Sequence, residues 1–191
     1  IPSITGTVSQ TRCGNGSVTL TATATNGTTK WYTTPTGGTP LETSSSFTTP
    51  ILSQTTTYYV DAYAVGCNSG TRIAVTATIN PIPSISLNPI SPICSGDSAV
   101  LTASSTSGTI NWFTNATGGT SIGSGTTFTT PALNQNTTFY VEAVNNGCTS
   151  TRAAIVVQVN QKPNVTNEDK ILCENSFLIL NAGISNVNYA E

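Results

Sequence analysis

The feature that most constrains this chain is an internal repeat with an offset of 81 residues. Residues 13–67 align with residues 94–148 without a gap, and 27 of the 55 aligned positions are identical. A repeat of this kind indicates that one folded unit is built more than once. The shared positions include one tryptophan and two cysteines per copy: Trp31 with Trp112, Cys13 with Cys94 and Cys67 with Cys148.

The repeat predicts the domain organisation. We expect one complete copy at 1–80 and a second at 81–161, joined through short proline-containing segments that favour an extended backbone. The stretch ILCENSFLIL at 171–180 resembles the opening of both copies, so 162–191 is expected to be the partial start of a third module.

Composition favours strands over helices. Threonine accounts for 37 of the 191 residues, and its branched side chain suits a pleated, half-exposed surface. In the first copy, alternation and turn residues predict seven strands, near 2–7, 18–24, 29–34, 39–42, 46–49, 56–64 and 72–79. Seven short strands in about 80 residues are typical of an immunoglobulin-like β-sandwich, so the predicted fold class is all-β, with tandem sandwiches of about seven strands.

Alternation along each strand assigns residues to faces. It directs Val18, Leu20, Ala22, Tyr58, Val60, Ala62, Ile73, Val75 and Ile79 into the first core, and Leu101, Ala103, Phe139, Val141, Ala143, Ile155, Val157 and Val159 into the second. Trp31 and Trp112 are expected to fill the centre of each core. The same alternation places Asp61 and Glu142 on the outward face, with Arg72 and Arg152 as exposed ion-pair partners.

The five cysteines have no C-x-x-C spacing, which favours disulfides in an oxidising compartment. Cys13 is expected in the turn after the first strand, about 20 Å from Cys67 in the last hairpin, which is too far for a disulfide. We therefore favour Cys13 with Cys148, leaving Cys67 and Cys94 for flanking modules. The alternative is Cys13 with Cys67 and Cys94 with Cys148; Cys173 belongs to the partial third module.

Catalytic, metal and cofactor sites are not expected. The chain has no histidine, the commonest general base, and its eight acidic residues are scattered. The repeated T-G-G-T at 36–39 and 117–120 is better explained as a hairpin turn than as a phosphate loop, because neither a helix nor a lysine follows it.

The repeat makes neighbouring copies in the same chain expected partners, whereas nucleic acid is a poor candidate. Six basic residues form no stripe for nucleic acid, and no apolar run is long enough to span a membrane. Ile1 begins no signal peptide, as expected of a mature or internal segment. Three tyrosines on outward phases, Tyr59, Tyr63 and Tyr140, are candidates for stacking on sugar rings.

Several separated motifs agree in order and spacing: C-x-G-x-S-V-x-L-T-A, W-Y-x3-T-G-G-T, F-T-T-P-x-L-x-Q-T-T-T-Y-Y-V-x-A and G-C-x-S-x2-R-x-A-V. Together they resemble the immunoglobulin-like and PKD-like repeats of very large Bacteroidota surface proteins, including gliding-motility-associated adhesins. The resemblance implies an extracellular protein, cell-surface or secreted, exported by the type IX system, with surface glycans or other cell-surface proteins as partners. It also makes Ser98, within Asp97-Ser98-Ala99, a candidate O-glycosylation site.

The sequence therefore predicts a non-catalytic structural or adhesive region: a stiff, disulfide-stabilised stalk or adhesin array. The alternative is a carbohydrate-binding accessory module of a secreted polysaccharide-degrading enzyme. The fold predicted for both is the same, so only the site residues can separate them.

Overall fold

The structure is a computed structural model that describes residues 1–162. The partial third module, with Cys173 and the predicted start of a further sandwich, lies outside the described residues. Within 1–162 every regular element is a strand, which confirms the predicted all-β class.

The first copy contains nine strands. Six of the seven predicted strands appear near their predicted places, while the 39–42 strand is found as the two-residue β5. The bounds are β1 (Ile4–Val8), β2 (Gln10–Cys13), β3 (Thr19–Ala24), β4 (Thr28–Tyr32), β5 (Glu42–Thr43), β6 (Ser46–Thr48), β7 (Thr56–Ala64), β8 (Cys67–Asn68) and β9 (Ile73–Asn80).

The second copy repeats this order with ten strands. Its bounds are β10 (Ile85–Leu87), β11 (Ile93–Cys94), β12 (Val100–Ser105), β13 (Thr109–Phe113), β14 (Gly123–Ser124), β15 (Thr127–Thr129), β16 (Thr137–Asn145), β17 (Cys148–Thr149), β18 (Ala153–Val157) and β19 (Val159–Asn160). The number rises to ten because the stretch equivalent to β9 is divided into two strands, β18 and β19.

Each copy divides its strands between sheets in the same way. In the first copy one sheet has the order β1-β3-β6, and the other has the order β2-β9-β7-β4-β5 with β8 on β7. The second copy has the matching orders β10-β12-β15 and β14-β13-β16-β17, with β18 on β16 and β11 on β19. Side chains from both sheets of the first copy share one core, so the tandem immunoglobulin-like β-sandwich is confirmed.

The first copy has a strand where the sequence predicts a turn. Cys13 does not lie in a turn: it ends β2, which pairs in parallel with β9 so that Cys13 stands opposite Asn80. The chain leaves one sheet after β1 and joins the other as β2, and the Thr76 N–H donates to Ser9 Oγ (3.1 Å) at the crossing. β11 pairs in parallel with β19 in the same way, with Cys94 opposite Asn160.

The cores are built around the two tryptophans, both with 0% exposure. Trp31 stacks on Phe47 (5.7 Å between ring centroids), and Trp112 stacks on Phe128 (5.8 Å). Each indole N–H is satisfied at 2.9 Å, by the carbonyl of Ser44 in the first copy and of Gly125 in the second. Burial of the tryptophan therefore leaves no indole N–H without an acceptor in either copy.

The predicted inward residues are buried except for one. Ile73 has the correct alternation, but it is the first residue of β9 and is 43% exposed, because the core does not extend to that end of the strand. The prediction that Ile73 is a core residue was wrong.

The chain folds into two compact units. Unit 1 consists of Ile1–Ile85 together with Ser105–Asn111 and Glu142–Thr151, and unit 2 consists of Ser86–Ser104, Trp112–Val141 and the described residues from Arg152 to 162. Two short segments of the second copy thus belong to unit 1. The boundaries at 80 and 161 remain predictions drawn from the repeat.

Candidate functional site

The cysteines occupy distinct positions at the ends of strands. Cys13 and Cys148 form a disulfide with their Cα atoms 5.5 Å apart, within the usual range. Both belong to unit 1, although 135 residues separate them in sequence. Cys67 and Cys94 are exposed free thiols. The structure thus contains the pairing that we favoured, and the alternative pairs, Cys13 with Cys67 and Cys94 with Cys148, are absent from the described residues.

The surroundings of the disulfide hold it in place. The Gly14 N–H donates to the Asn80 carbonyl (2.8 Å), which extends the β2–β9 pairing past Cys13. The Asn80 side-chain amide donates to the Asn146 carbonyl (3.1 Å) in the turn that precedes Cys148, and Cys148 is only 1% exposed. We call the Cys13–Cys148 disulfide with this Asn80 hydrogen bond the joint.

An arrangement that is present in both copies lies at the Gly-Gly hairpin. The Arg72 guanidinium carbon is 3.2 Å from the ring centroid of Tyr32, and one of its nitrogens donates to the Thr34 and Gly37 carbonyls at 2.7 Å each. In the second copy Arg152 makes the same contacts, at 3.4 Å from the ring of Phe113 and 2.7 Å from the carbonyls of Asn115 and Gly118.

We call each of these arrangements the arginine clasp. It ties the hairpin to the sheet through charge-assisted hydrogen bonds and a cation–π contact. Sequence reasoning missed it, although the signal was present. Both copies keep an arginine about 40 residues after an aromatic residue, and both follow that aromatic with T-G-G-T.

The Asp61 carboxylate is buried rather than exposed. Asp61 is 7% exposed, and its Oδ2 lies 3.8 Å from Nε of Arg72. The outward-face prediction assumed a bare sheet surface, whereas Tyr32 and Arg72 cover this one, and Lys30 stands opposite Asp61 on β4. The predicted exposed ion pair is therefore corrected to a partly buried one. Glu142, the equivalent residue, is half-buried.

Burial raises the pKa of Asp61 above its ordinary value of 3.8. The charges of Arg72 and Lys30 and a hydrogen bond from Tyr32 oppose the rise without cancelling it. The pKa of Tyr32 is raised as well, first by its own burial and then by the charge of Asp61. Asp61 Oδ1 is buried without a hydrogen-bond partner, so the carboxylate is less well accommodated than the neutral acid.

A cleft of about 430 Å³ lies beside Asp61, between the hairpin residues 35–37 and the segment 68–72. Asp61 and Arg72 are part of its lining. Asp61 Oδ1 has almost no accessible surface, so it is not offered to a molecule in the cleft. Arg72 is already occupied by Tyr32 and two carbonyls. The two charged side chains of the lining are therefore committed to contacts within the protein.

The candidate sugar-stacking tyrosines are half-buried and differ in their surroundings. Lys30 Nζ lies 3.3 Å from the ring centroid of Tyr63, so one face of this ring is covered. Tyr59 pairs in register with Tyr32 and Ala74. Tyr140 belongs to unit 2 and pairs with Ala154.

The remaining candidates occupy ordinary surface positions. Ser98 is exposed, beside Asp97, whose backbone is bridged to Leu133. The Gly-Gly pairs have positive φ at both residues, 65° and 74° at Gly37 and Gly38 in the first copy, as a tight hairpin turn requires. Among residues 1–162 no group of three or more acidic, cysteine or histidine side chains is placed to hold a metal ion, and no helix suited to crossing a membrane is found there.

Comparisons with known proteins identify the repeat. A family model described as an Ig-like domain, CHU_C associated, matches residues 1–81 and again residues 82–160. No curated protein matches the chain.

Solved structures resemble the chain in fold at low identity. The extracellular domains 3–5 of Drosophila OTK align at 12% identity over 85% of this chain and 62% of that chain, with a TM-score of 0.52. A chain in the crystal structure of the mouse coronavirus receptor-binding domain complexed with its murine receptor aligns at 12% identity over 85% of this chain and 100% of that chain, with a TM-score of 0.50. The fibronectin(III)-like modules of Clostridium thermocellum CbhA align at 14% identity over 84% and 95%, with a TM-score of 0.47.

Proposed function

The chain belongs to the CHU_C-associated family of Ig-like domains, and from this membership we propose that it is a non-catalytic structural repeat region of a large secreted cell-surface protein. Its role is to act as a stiff, disulfide-stabilised stalk or adhesin array that holds another part of the protein away from the cell. On the sequence motifs, we assign that protein to the gliding-motility-associated adhesin type of Bacteroidota, exported by the type IX system.

The observation that carries this proposal is the disulfide between Cys13, in the first copy, and Cys148, in the second. Disulfides persist in oxidising surroundings outside the cytosol, which supports an extracellular location. A covalent bond that spans 135 residues also prevents the enclosed chain from extending when the ends are pulled. A spacer under load benefits from this property, whereas a freely diffusing binding module has no need of it.

The direct test is mechanical. The oxidised chain is pulled from its two ends in a single-molecule force experiment and compared with the Cys13→Ser/Cys148→Ser variant. The disulfide encloses 135 residues, so at roughly 3.5 Å per residue the variant should release about 470 Å more contour length on full unfolding.

The matched control is the Cys67→Ser/Cys94→Ser variant, which leaves the joint intact and should extend no further than the native chain. Equal extension of the native chain and the Cys13→Ser/Cys148→Ser variant would show that the disulfide does not limit extension, and it would remove the main support for a load-bearing spacer.

The alternative role, a carbohydrate-binding accessory module of a polysaccharide-degrading enzyme, makes a different prediction. It requires exposed aromatic faces, and Lys30 covers one face of Tyr63. A glycan array is expected to give no reproducible binding to the native chain. Binding that Tyr59→Ala or Tyr140→Ala abolishes would favour the carbohydrate-binding role over the spacer.

A further inference from the structure

We propose that Cys67 and Cys94 are the two unused halves of the same joint, and that each forms a disulfide with the complementary cysteine of a further repeat of this type. We call Cys13 and Cys94 the opening cysteines, and Cys67 and Cys148 the hairpin cysteines. Cys94 forms its disulfide with a hairpin cysteine of a further repeat, and Cys67 forms its disulfide with an opening cysteine of a further repeat. The partner is thus another copy of this repeat, attached head to tail. This inference rests on the proposed spacer function and names the covalent connection that extends it.

The first step is the equivalence of the opening cysteines. Cys13 ends β2 opposite Asn80, and Cys94 ends β11 opposite Asn160, each in a parallel pairing with the last strand of its own copy. The residue that follows the cysteine donates its N–H to the same asparagine carbonyl in both cases, at 2.8 Å to Asn80 and 2.9 Å to Asn160. The backbone that presents Cys13 to its partner is therefore built again around Cys94.

The second step is the equivalence of the hairpin cysteines. Cys148 begins β17 opposite Asn145, and Cys67 begins β8 opposite Ala64, each directly after a two-residue turn. The strands before these turns, β16 and β7, have the same length of nine residues and the same inward alternation. The two cysteines thus occupy the same place in the same hairpin.

The third step is the state of the four cysteines within residues 1–162. One opening cysteine and one hairpin cysteine are joined, and the remaining opening and hairpin cysteines are both free and exposed. Cys148 is 1% exposed within the joint, whereas its equivalent, Cys67, is open to solvent. The asparagine that donates across the joint is also repeated, as Asn160, and Asn160 is exposed.

The fourth step is polarity. The joint pairs an opening cysteine with a hairpin cysteine, so its two sides are different surfaces. A contact between unlike surfaces of the same unit can repeat from head to tail, either as a ring or as an open chain of units. Within residues 1–162 the free cysteines are one of each kind, which is the set that an internal segment of such an array needs.

The oxidation requires an electron acceptor, which we take to be a small-molecule disulfide such as oxidised glutathione. The Cys67 thiolate attacks one glutathione sulfur and releases the first glutathione thiolate. The Cys94 thiolate of a second chain then attacks the Cys67 sulfur of the mixed disulfide and releases the second. The two cysteines lose two protons and two electrons in total, and the glutathione disulfide becomes two molecules of glutathione.

The test uses the full chain in a Cys173→Ser background, because Cys173 aligns with the opening cysteines. One variant carries Cys67→Ser and offers only Cys94, and the other carries Cys94→Ser and offers only Cys67. Each is incubated with oxidised glutathione, alone and mixed with the other, and dimers are followed on non-reducing gels. Peptide mapping identifies the linked cysteines and verifies that Cys13–Cys148 is intact.

The mixture is expected to form a Cys67–Cys94 heterodimer at least about tenfold faster than either variant forms a homodimer, because docking raises the effective concentration of the two thiols. The Cys173→Ser chain with both thiols should form a ladder of oligomers, and the Cys67→Ser/Cys94→Ser/Cys173→Ser chain should form none. Homodimers as fast as the heterodimer, or no dimer at all, would overturn the proposal. The pulling experiment depends only on Cys13 and Cys148. Its result therefore tests the spacer function independently of the dimer experiment, which tests Cys67 and Cys94.

Discussion

Arginine side chains on the outer face of the sheet make more contacts than strand alternation predicts. Arg72 and Arg152 were expected to be exposed partners of carboxylates, yet each lies over an aromatic ring and bonds two hairpin carbonyls. The aromatic residue changes from Tyr32 to Phe113 between the copies while the arginine is kept. What the two copies share is therefore the guanidinium over a ring face, which needs no hydroxyl.

Asp61 gives a prediction about pH. Its pKa is raised in the folded state above the ordinary 3.8, so the native chain binds this proton more tightly than the unfolded chain. The stability that Asp61 contributes is then fully present below about pH 3.8 and is lost as the pH rises through the higher folded pKa. Asp61→Asn removes this loss, so the variant should gain stability relative to the native chain as the pH rises.

Urea unfolding at pH values below and above 3.8 measures the difference in unfolding free energy between Asp61→Asn and the native chain. Glu42→Gln, which removes the negative charge of an exposed residue on β5, is the control for the loss of one carboxylate. If the native chain gained stability relative to Asp61→Asn as the pH rises, the result would contradict the raised pKa of Asp61.

At the scale of elements, alternation predicts the long strands well and the short crossing strands poorly. β3, β4, β7 and β9 appear within one or two residues of their predicted bounds, because their β-branched and aromatic residues alternate over five or more positions. β2 has four exposed residues and no inward pattern, and it exists because β9 offers a free edge to pair with. A strand made by pairing alone leaves no periodicity in the sequence.

The turn between β3 and β4 gives a testable prediction at this scale. Gly27 has a φ of 82°, and a Cβ added there would overlap the carbonyl of Tyr63 on β7. Gly27→Ala should therefore combine backbone strain with a steric clash and cost about 3 kcal/mol of unfolding free energy.

Gly37→Ala is the matched control. Gly37 also has a positive φ, 65°, but a Cβ at this position meets nothing within 4 Å. Its cost should be limited to the strain of a left-handed residue, about 1 kcal/mol. Equal losses of unfolding free energy in the two variants would show that the approach of the turn to Tyr63 is not the limiting feature.

At the scale of the whole molecule, the long-range disulfide is the main covalent constraint within the described residues. It closes a loop of 135 residues, and the chain-entropy model assigns such a loop up to about 5 kcal/mol of stabilisation. The Cys13→Ser/Cys148→Ser variant is therefore expected to unfold at a clearly lower urea concentration than the oxidised native chain. The Cys67→Ser/Cys94→Ser variant should keep the native midpoint, and a loss there would show that the free thiols stabilise the fold.

The sequence by itself determined the fold class, the duplication, the two tryptophan cores and most of the strands. These follow from local signals, since alternation, turn residues and a repeat offset are all written along the chain. The cysteines mark the limit of such reasoning. Sequence spacing of 54 residues is the same for both pairs within a copy, so it left two pairings open.

Only the tertiary structure decided that Cys13 meets Cys148 and that Asp61 is buried. Both facts depend on contacts between residues far apart in sequence: a parallel pairing of β2 with β9 in the first case, and side chains from other strands that cover one carboxylate in the second. Burial and disulfide pairing are properties of neighbours in space, and the chain has those neighbours only after it folds.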